Sequence, residues 1–205
     1  VAKGLAAYPA TAGEPALRQA CAAWLQKRYR LTLDAATQVL PVNGSREALF
    51  ALAQTVIDPN QAGATVVSPN PFYQIYEGAA LLSGAQTHFV PSDPARNFAN
   101  DWDSVPGEVW ARTQLLFVCS PGNPTGAVMP LSEWAKLFAL SDQHGFVIAS
   151  DECYSEIYFR DEPPLGGLEA AHQLGRTDFK GLIAFTSLSK RSNVPGLRSG
   201  FVAGD

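Results

Sequence analysis

The sequence is poor in sulfur, histidine and charge, and each shortage removes a class of function. Three cysteines, Cys21, Cys119 and Cys153, are scattered through 205 residues. Their odd number and wide spacing offer neither a disulfide framework nor a metal knuckle. They read as buried free thiols in a reducing compartment, which points to a cytoplasmic protein. His88, His144 and His172 are the only histidines and stand far apart, so no zinc site is expected. Charged residues make up 17% of the chain and the net charge is -4. That balance argues against a surface for nucleic acid or an anionic membrane. No apolar run reaches the ~20 residues of a membrane span, and the first residues lack a signal-peptide pattern.

What remains is a globular composition, 46% hydrophobic, with material for a large core. Helical and strand-like segments alternate. Ala16 to Arg28 sets Leu17, Cys21, Trp24 and Leu25 on one face after Pro15. Ser45 to Ile57 repeats the pattern with Ala48, Leu49, Leu52 and Val56, and Asp58-Pro59 stops it. Phe72 to Ser83 and Leu131 to His144 are read as further helices, closed by Gly84 and Gly145. Between them lie the apolar runs Ala64–Val67, Thr87–Val90, Leu115–Cys119, Phe146–Ser150, Leu182–Thr186 and Gly200–Ala203. Several lack in/out alternation, as expected of strands buried on both faces. The class is α/β: a three-layer sandwich around a mostly parallel sheet. The Pro/Gly-rich stretch 161–167 reads as a surface loop. The ends read as cut, since coil-like sequence opens the chain and a strand-like run almost closes it, so a piece of a longer protein is expected.

Unusual residues follow the strands, where open α/β sheets place ligands. In Thr186-Ser-Leu-Ser-Lys-Arg191 the amine of Lys190 sits among hydroxyls, with Arg198 close behind. An amine that bonds an aldehyde, beside hydroxyls and a guanidinium suited to a phosphate dianion, fits pyridoxal 5'-phosphate (PLP). A plain surface loop carries the same residue types. Asn43-Gly-Ser-Arg46 enters a helix and is either a phosphate-holding turn or an ordinary N-cap. Ser120-Pro-Gly-Asn-Pro-Thr-Gly126 fixes Asn123 on a constrained backbone, more than a turn alone requires. Asp151 ends a buried strand, where a carboxylate needs a cationic or hydrogen-bonding partner; a protonated pyridine nitrogen or a capping contact would serve. Tyr154 lies three residues on. Tyr73 could stack on a flat ring or belong to the core.

Taken in order, Gly44-Ser-Arg-Glu-Ala-Leu-Phe50, Cys119-Ser-Pro-Gly-Asn-Pro-Thr-Gly-Ala127, Ser150-Asp-Glu-Cys-Tyr-Ser-Glu-Ile-Tyr158 and Leu188-Ser-Lys-Arg-Ser-Asn-Val-Pro-Gly196 resemble the fold-type I, aspartate-aminotransferase-like PLP enzymes. They look closest to its succinyldiaminopimelate aminotransferase branch. The resemblance runs from Tyr8 to the end and implies a PLP-binding large domain over residues 1–205. It further implies that Lys190 attaches the cofactor and then shuttles the proton. Asp151 would keep the pyridine nitrogen protonated, and Asn123 and Tyr154 would bond the phenolic oxygen. Tyr73 would stack on the ring, and Gly44, Ser45, Arg46, Ser187 and Arg198 would hold the phosphate. Tyr8 would reach the phosphate of the other subunit in a homodimer. The matching family positions make Asn70-Pro71 and Asn123-Pro124 cis. The arginine for the substrate α-carboxylate and the N-terminal arm would lie outside these residues.

The implied reaction is amino transfer between glutamate and a keto acid, N-succinyl-2-amino-6-ketopimelate, in lysine and diaminopimelate biosynthesis. Amino-acid and keto-acid substrates are therefore its small-molecule partners. An aromatic aminotransferase, a C–S β-lyase and a non-catalytic PLP-sensing regulator domain remain open alternatives, because the motifs bind the cofactor without choosing the reaction.

Overall fold

The computed structural model describes residues 2–205. Along the chain come α1 (Pro15–Tyr29), β1 (Val39–Val42), α2 (Ser45–Val56), β2 (Thr65–Asn70) and α3 (Ile75–Leu82). Then follow β3 (Gln86–Asp93), β4 (Ala99–Asn100), α4 (Gly107–Trp110), β5 (Thr113–Cys119) and α5 (Leu131–His144). The last elements are β6 (Val147–Asp151), α6 (Gly167–Gln173), β7 (Leu182–Ser187), α7 (Leu188–Arg191) and β8 (Gly200–Gly204). The strands form one sheet in the order β1-β8-β7-β6-β5-β2-β3-β4. Five central strands run parallel, while β8 is antiparallel to both β7 and β1, and β4 is antiparallel to β3.

Period-two alternation explains the layers. Val66, Leu115, Phe117, Ala149 and Phe185 pack against Leu49 and Ala53 of α2 and Tyr76, Ala79 and Ala80 of α3. Their sequence neighbours Val67, Leu116, Ile148 and Ala184 point the other way, into a core with Leu25 of α1, Trp134 and Leu137 of α5 and Leu168 of α6. Both sheet faces are covered, as the expected three-layer sandwich requires.

Several boundaries differ from the sequence reading. The third helix begins at Ile75 rather than Phe72, because the residue before a proline favours extended backbone and β2 runs on through Asn70. β1 gives no clear strand signal in the sequence because Pro41 interrupts a short apolar run. It is tolerated because β1 is the edge strand, paired only with β8. The 161–167 loop is exposed only in its first half; Pro164, Gly166 and Gly167 are buried, and Gly167 opens α6. The three cysteines are free but half-buried rather than fully buried. Asn70-Pro71 and Asn123-Pro124 are both cis, and so is Ser120-Pro121.

Candidate active site

The C-terminal ends of β5, β6 and β7 carry Cys119, Asp151 and Ser187. The registers place Cys119 opposite Asp151, and Asp151 opposite Phe185. Each of the three lies two residues beyond a core side chain that faces α2 and α3, so the alternation points all of them toward that layer.

Asp151 is 5% exposed. The Tyr76 hydroxyl donates to its Oδ2 at 2.8 Å, and the Cys153 N–H donates to its Oδ1 at 3.3 Å. Burial pushes the Asp151 carboxyl above its usual range, and the bonds from Cys153 and Tyr76 oppose that rise. Among the described residues no lysine or arginine forms an ion pair with it. The contact with Cys153 makes the capping reading of Asp151 partly right. It leaves the shorter bond, from Tyr76, unaccounted for.

Around this carboxylate stand three tyrosines, Tyr73, Tyr76 and Tyr154. Tyr73 meets Tyr76 edge-on, with ring centroids 5.9 Å apart, and Tyr76 stacks on Phe117 at 4.6 Å. Tyr154 is half-buried, and burial followed by nearby Cys119, Cys153 and Asp151 raises its phenol. Burial also raises the Tyr73 phenol, against the pull of the Arg46 guanidinium. The Lys190 ammonium lies 5.9 Å from the centre of the Tyr154 ring. Lys190 is exposed on α7, a single turn whose N-cap is Ser187, with Ser187 Oγ accepting from the Ser189 N–H at 3.1 Å. The run around Lys190 is thus a short helix and not a plain surface loop.

The turn into α2 closes another side. Gly44 takes φ 102° and ψ 142° at the N-cap, and no side chain caps that end. A Cβ at Gly44 would collide with the Arg198 guanidinium. Arg198 Nη2 donates to Glu47 Oε2 at 2.7 Å, with both side chains substantially exposed. The Cys153 thiol donates to Ser45 Oγ at 3.0 Å, tying this turn to the end of β6. Asn123 sits on the loop after β5, which is cross-braced from Gly122 N–H to the Ala127 carbonyl at 2.8 Å and from Gly126 N–H to the Gly122 carbonyl at 2.7 Å. Beside it opens a cavity of about 260 Å³, lined by Asn123, Thr125, Cys119, Arg96 and Asn100 among others.

The family description "Aminotransferase class I and II" matches residues 2–205 of this chain. The chain belongs to this family. The family is one of transferases, and membership implies PLP as the cofactor. The LL-diaminopimelate aminotransferase of Dehalococcoides mccartyi is 35% identical over 200 residues, covering 97% of this chain and 49% of the relative. An aminotransferase structure from Neisseria meningitidis is 61% identical with a TM-score of 0.95, covering 98% of this chain and 51% of that one. The N-succinyldiaminopimelate aminotransferase of Mycobacterium tuberculosis is 31% identical with a TM-score of 0.86, covering 100% and 51%. The chain spans about half the length of the curated relatives it matches.

The fold thus gathers Asp151, Cys153, Tyr73, Tyr154, Ser45 and Lys190, with Gly44 and Arg198 in contact alongside. It leaves Tyr8 fully exposed and apart from them. Tyr76 and Glu47 were not singled out from the sequence. A signal existed for Tyr76, since it follows Tyr73 by one helical spacing. None existed for Glu47, which reads as an ordinary first-turn acid.

Proposed function

We propose that residues 1–205 are the cofactor-binding large domain of a PLP-dependent transaminase, with Lys190, Asp151 and Tyr154 as its catalytic residues. One observation carries this reading: among the described residues no lysine or arginine pairs with the buried Asp151 carboxylate. A buried carboxylate is costly until a cationic partner reaches it, and a protonated pyridine nitrogen is such a partner. The turn at Gly44 also suits a phosphate, being uncapped, free of a side chain and beside a guanidinium. The Arg198–Glu47 pair is exposed on both sides, the kind worth about 0–1 kcal/mol, so a dianion can compete for that arginine.

When bound, PLP supplies the electron sink for the pair released at the substrate Cα. Asp151 keeps the proton on the ring nitrogen. Lys190 Nζ would hold the cofactor through its aldehyde and would be the base that takes the proton from the substrate Cα. Asn123 and Tyr154 orient the phenolic oxygen, and Tyr73 stacks on the ring. Gly44, Ser45, Arg46, Ser187 and Arg198 hold the phosphate, and Tyr8 serves the site of a second subunit. Borohydride reduction of the PLP-loaded protein followed by peptide mapping should label the peptide containing Lys190. Label on another lysine removes the assignment.

The substrates we assign are glutamate and N-succinyl-2-amino-6-ketopimelate, in the cytoplasmic biosynthesis of diaminopimelate and lysine, acting in a homodimer. The kinship to an N-succinyldiaminopimelate aminotransferase supports this choice. The LL-diaminopimelate aminotransferase relatives favour a second reading, in which the unsuccinylated amine is used. A protein of the relatives' full length, assayed with 2-oxoglutarate and either N-succinyl-LL-diaminopimelate or LL-diaminopimelate, separates the two. A preference for the free diamine overturns the first.

A further inference from the structure

Tyr76 is fully buried, and its hydroxyl has one strong acceptor, Asp151 Oδ2 at 2.8 Å. The other groups facing Asp151 are weaker or neutral: the Cys153 N–H from the end of β6, the thiols of Cys119 and Cys153, and the phenols of Tyr73 and Tyr154. Tyr76 is itself immobilised, stacked on Phe117 of β5 with planes 13° apart and met edge-on by Tyr73. It therefore presents its proton from a fixed point, and a carboxylate with one oxygen so anchored keeps its orientation.

We propose that Tyr76 is a positioning residue of the cofactor site, holding the Asp151 carboxylate as an oriented anion for the ring nitrogen of PLP. The physical reason is the balance at Asp151. Burial favours the neutral acid, which could not keep a ring nitrogen protonated. A donated hydrogen bond favours the anion. The Cys153 thiol and the longer bond from the Cys153 N–H oppose burial as well, and Tyr76 contributes the shortest hydrogen bond, at 2.8 Å, from a fixed ring. A carboxylate has about four lone-pair sites, so two protein donors leave acceptor capacity for a cationic N–H. This inference rests on the cofactor reading above, but its first test does not.

In the cofactor-free protein, the Asp151 carboxyl can be followed by infrared difference spectroscopy with isotope-labelled aspartate, its band identified by its loss in Asp151→Asn. Tyr76→Phe keeps the ring and its stack on Phe117 and removes only the donor. It should raise the proton affinity of Asp151 about tenfold or more, as the loss of one hydrogen bond to a charged group implies. Replacing Tyr76 by 3-fluorotyrosine, a more acidic phenol, should move the titration the opposite way, so a variant that folds poorly does not leave the question open. In the PLP-loaded protein, the nitrogen-15 signal of the ring should show deprotonation at lower pH in Tyr76→Phe, with PLP bound about tenfold or more weakly. A Tyr76→Phe protein that is less stable but keeps the wild-type Asp151 titration would reduce Tyr76 to packing and overturn the proposal. If PLP failed to attach at Lys190 in the wild type, the cofactor reading would fall, while the infrared titration would still decide whether Tyr76 sets the state of Asp151.

Discussion

At the scale of single residues, the end of β6 holds two adjacent carboxylates that strand alternation sends to opposite sides of the sheet. Asp151 goes to the site. Glu152 goes to the opposite core, where it accepts from Tyr29 Oη at 2.9 Å, Ser150 Oγ at 2.8 Å and Gly167 N–H at 2.7 Å. Burial raises the pKa of both. A carboxyl whose folded pKa lies above its unfolded value adds stability that is fully present below the unfolded value. That stability is lost as pH rises through the folded value. The cofactor-free protein should therefore lose stability as pH rises out of the ordinary carboxylate range, by up to about 1.4 kcal/mol per pH unit for each proton. Urea unfolding across pH should show a shallower fall in Asp151→Asn than in wild type. Equal slopes would mean that Asp151 titrates in the folded protein as it does in the unfolded chain.

At the scale of elements, the turn into α2 combines a backbone that favours glycine with a contact that leaves no room for a side chain. Gly44→Ala should lose about 1–3 kcal/mol from its φ alone. Its methyl group would also displace the Arg198 guanidinium, so PLP affinity should fall with stability. Gly145→Ala is the control. Gly145 caps α5 at φ 79° with open space around its Cβ position, so this variant should lose stability and keep PLP affinity. Chemical denaturation beside fluorescence titration with PLP measures both quantities, and parallel behaviour of the two variants would dismiss the contact. The same turn shows where sequence reading stops. Its glycine and the α2 periodicity are local signals, and α2 begins at Ser45 as read. The partner of Arg198 lies 151 residues away, and nothing near either residue announces the other.

At the scale of the whole molecule, the exposed Tyr8 is the residue whose assigned role requires a second subunit. Symmetric dimers are common, so finding one would be weak support. Mixing is sharper. With full-length protein, Tyr8→Phe and Lys190→Ala homodimers should each be impaired. Dissociating and recombining them should recover part of the wild-type activity, since one site of the hybrid holds both native residues. No recovery despite hybrid formation would place Tyr8 and Lys190 in the same subunit's site.

The α/β class, the long amphipathic helices, the buried strands and the residues around Asn123, Asp151 and Lys190 were all written in local pattern: periodicity, turn chemistry and short runs of unusual residues. These depend on neighbours within a few positions, so the amino-acid sequence alone determined them. The edge strand carrying Pro41 was decided by its pairing with β8, and the late start of α3 by the extension of β2. Alternation separates Asp151 from Glu152, but tertiary packing alone decided what covers each of them, and it brought the Tyr76 hydroxyl to a carboxylate 75 residues further on. Such contacts arise when distant segments close over a common sheet, and the burial that gives them their strength exists only after the layers have assembled.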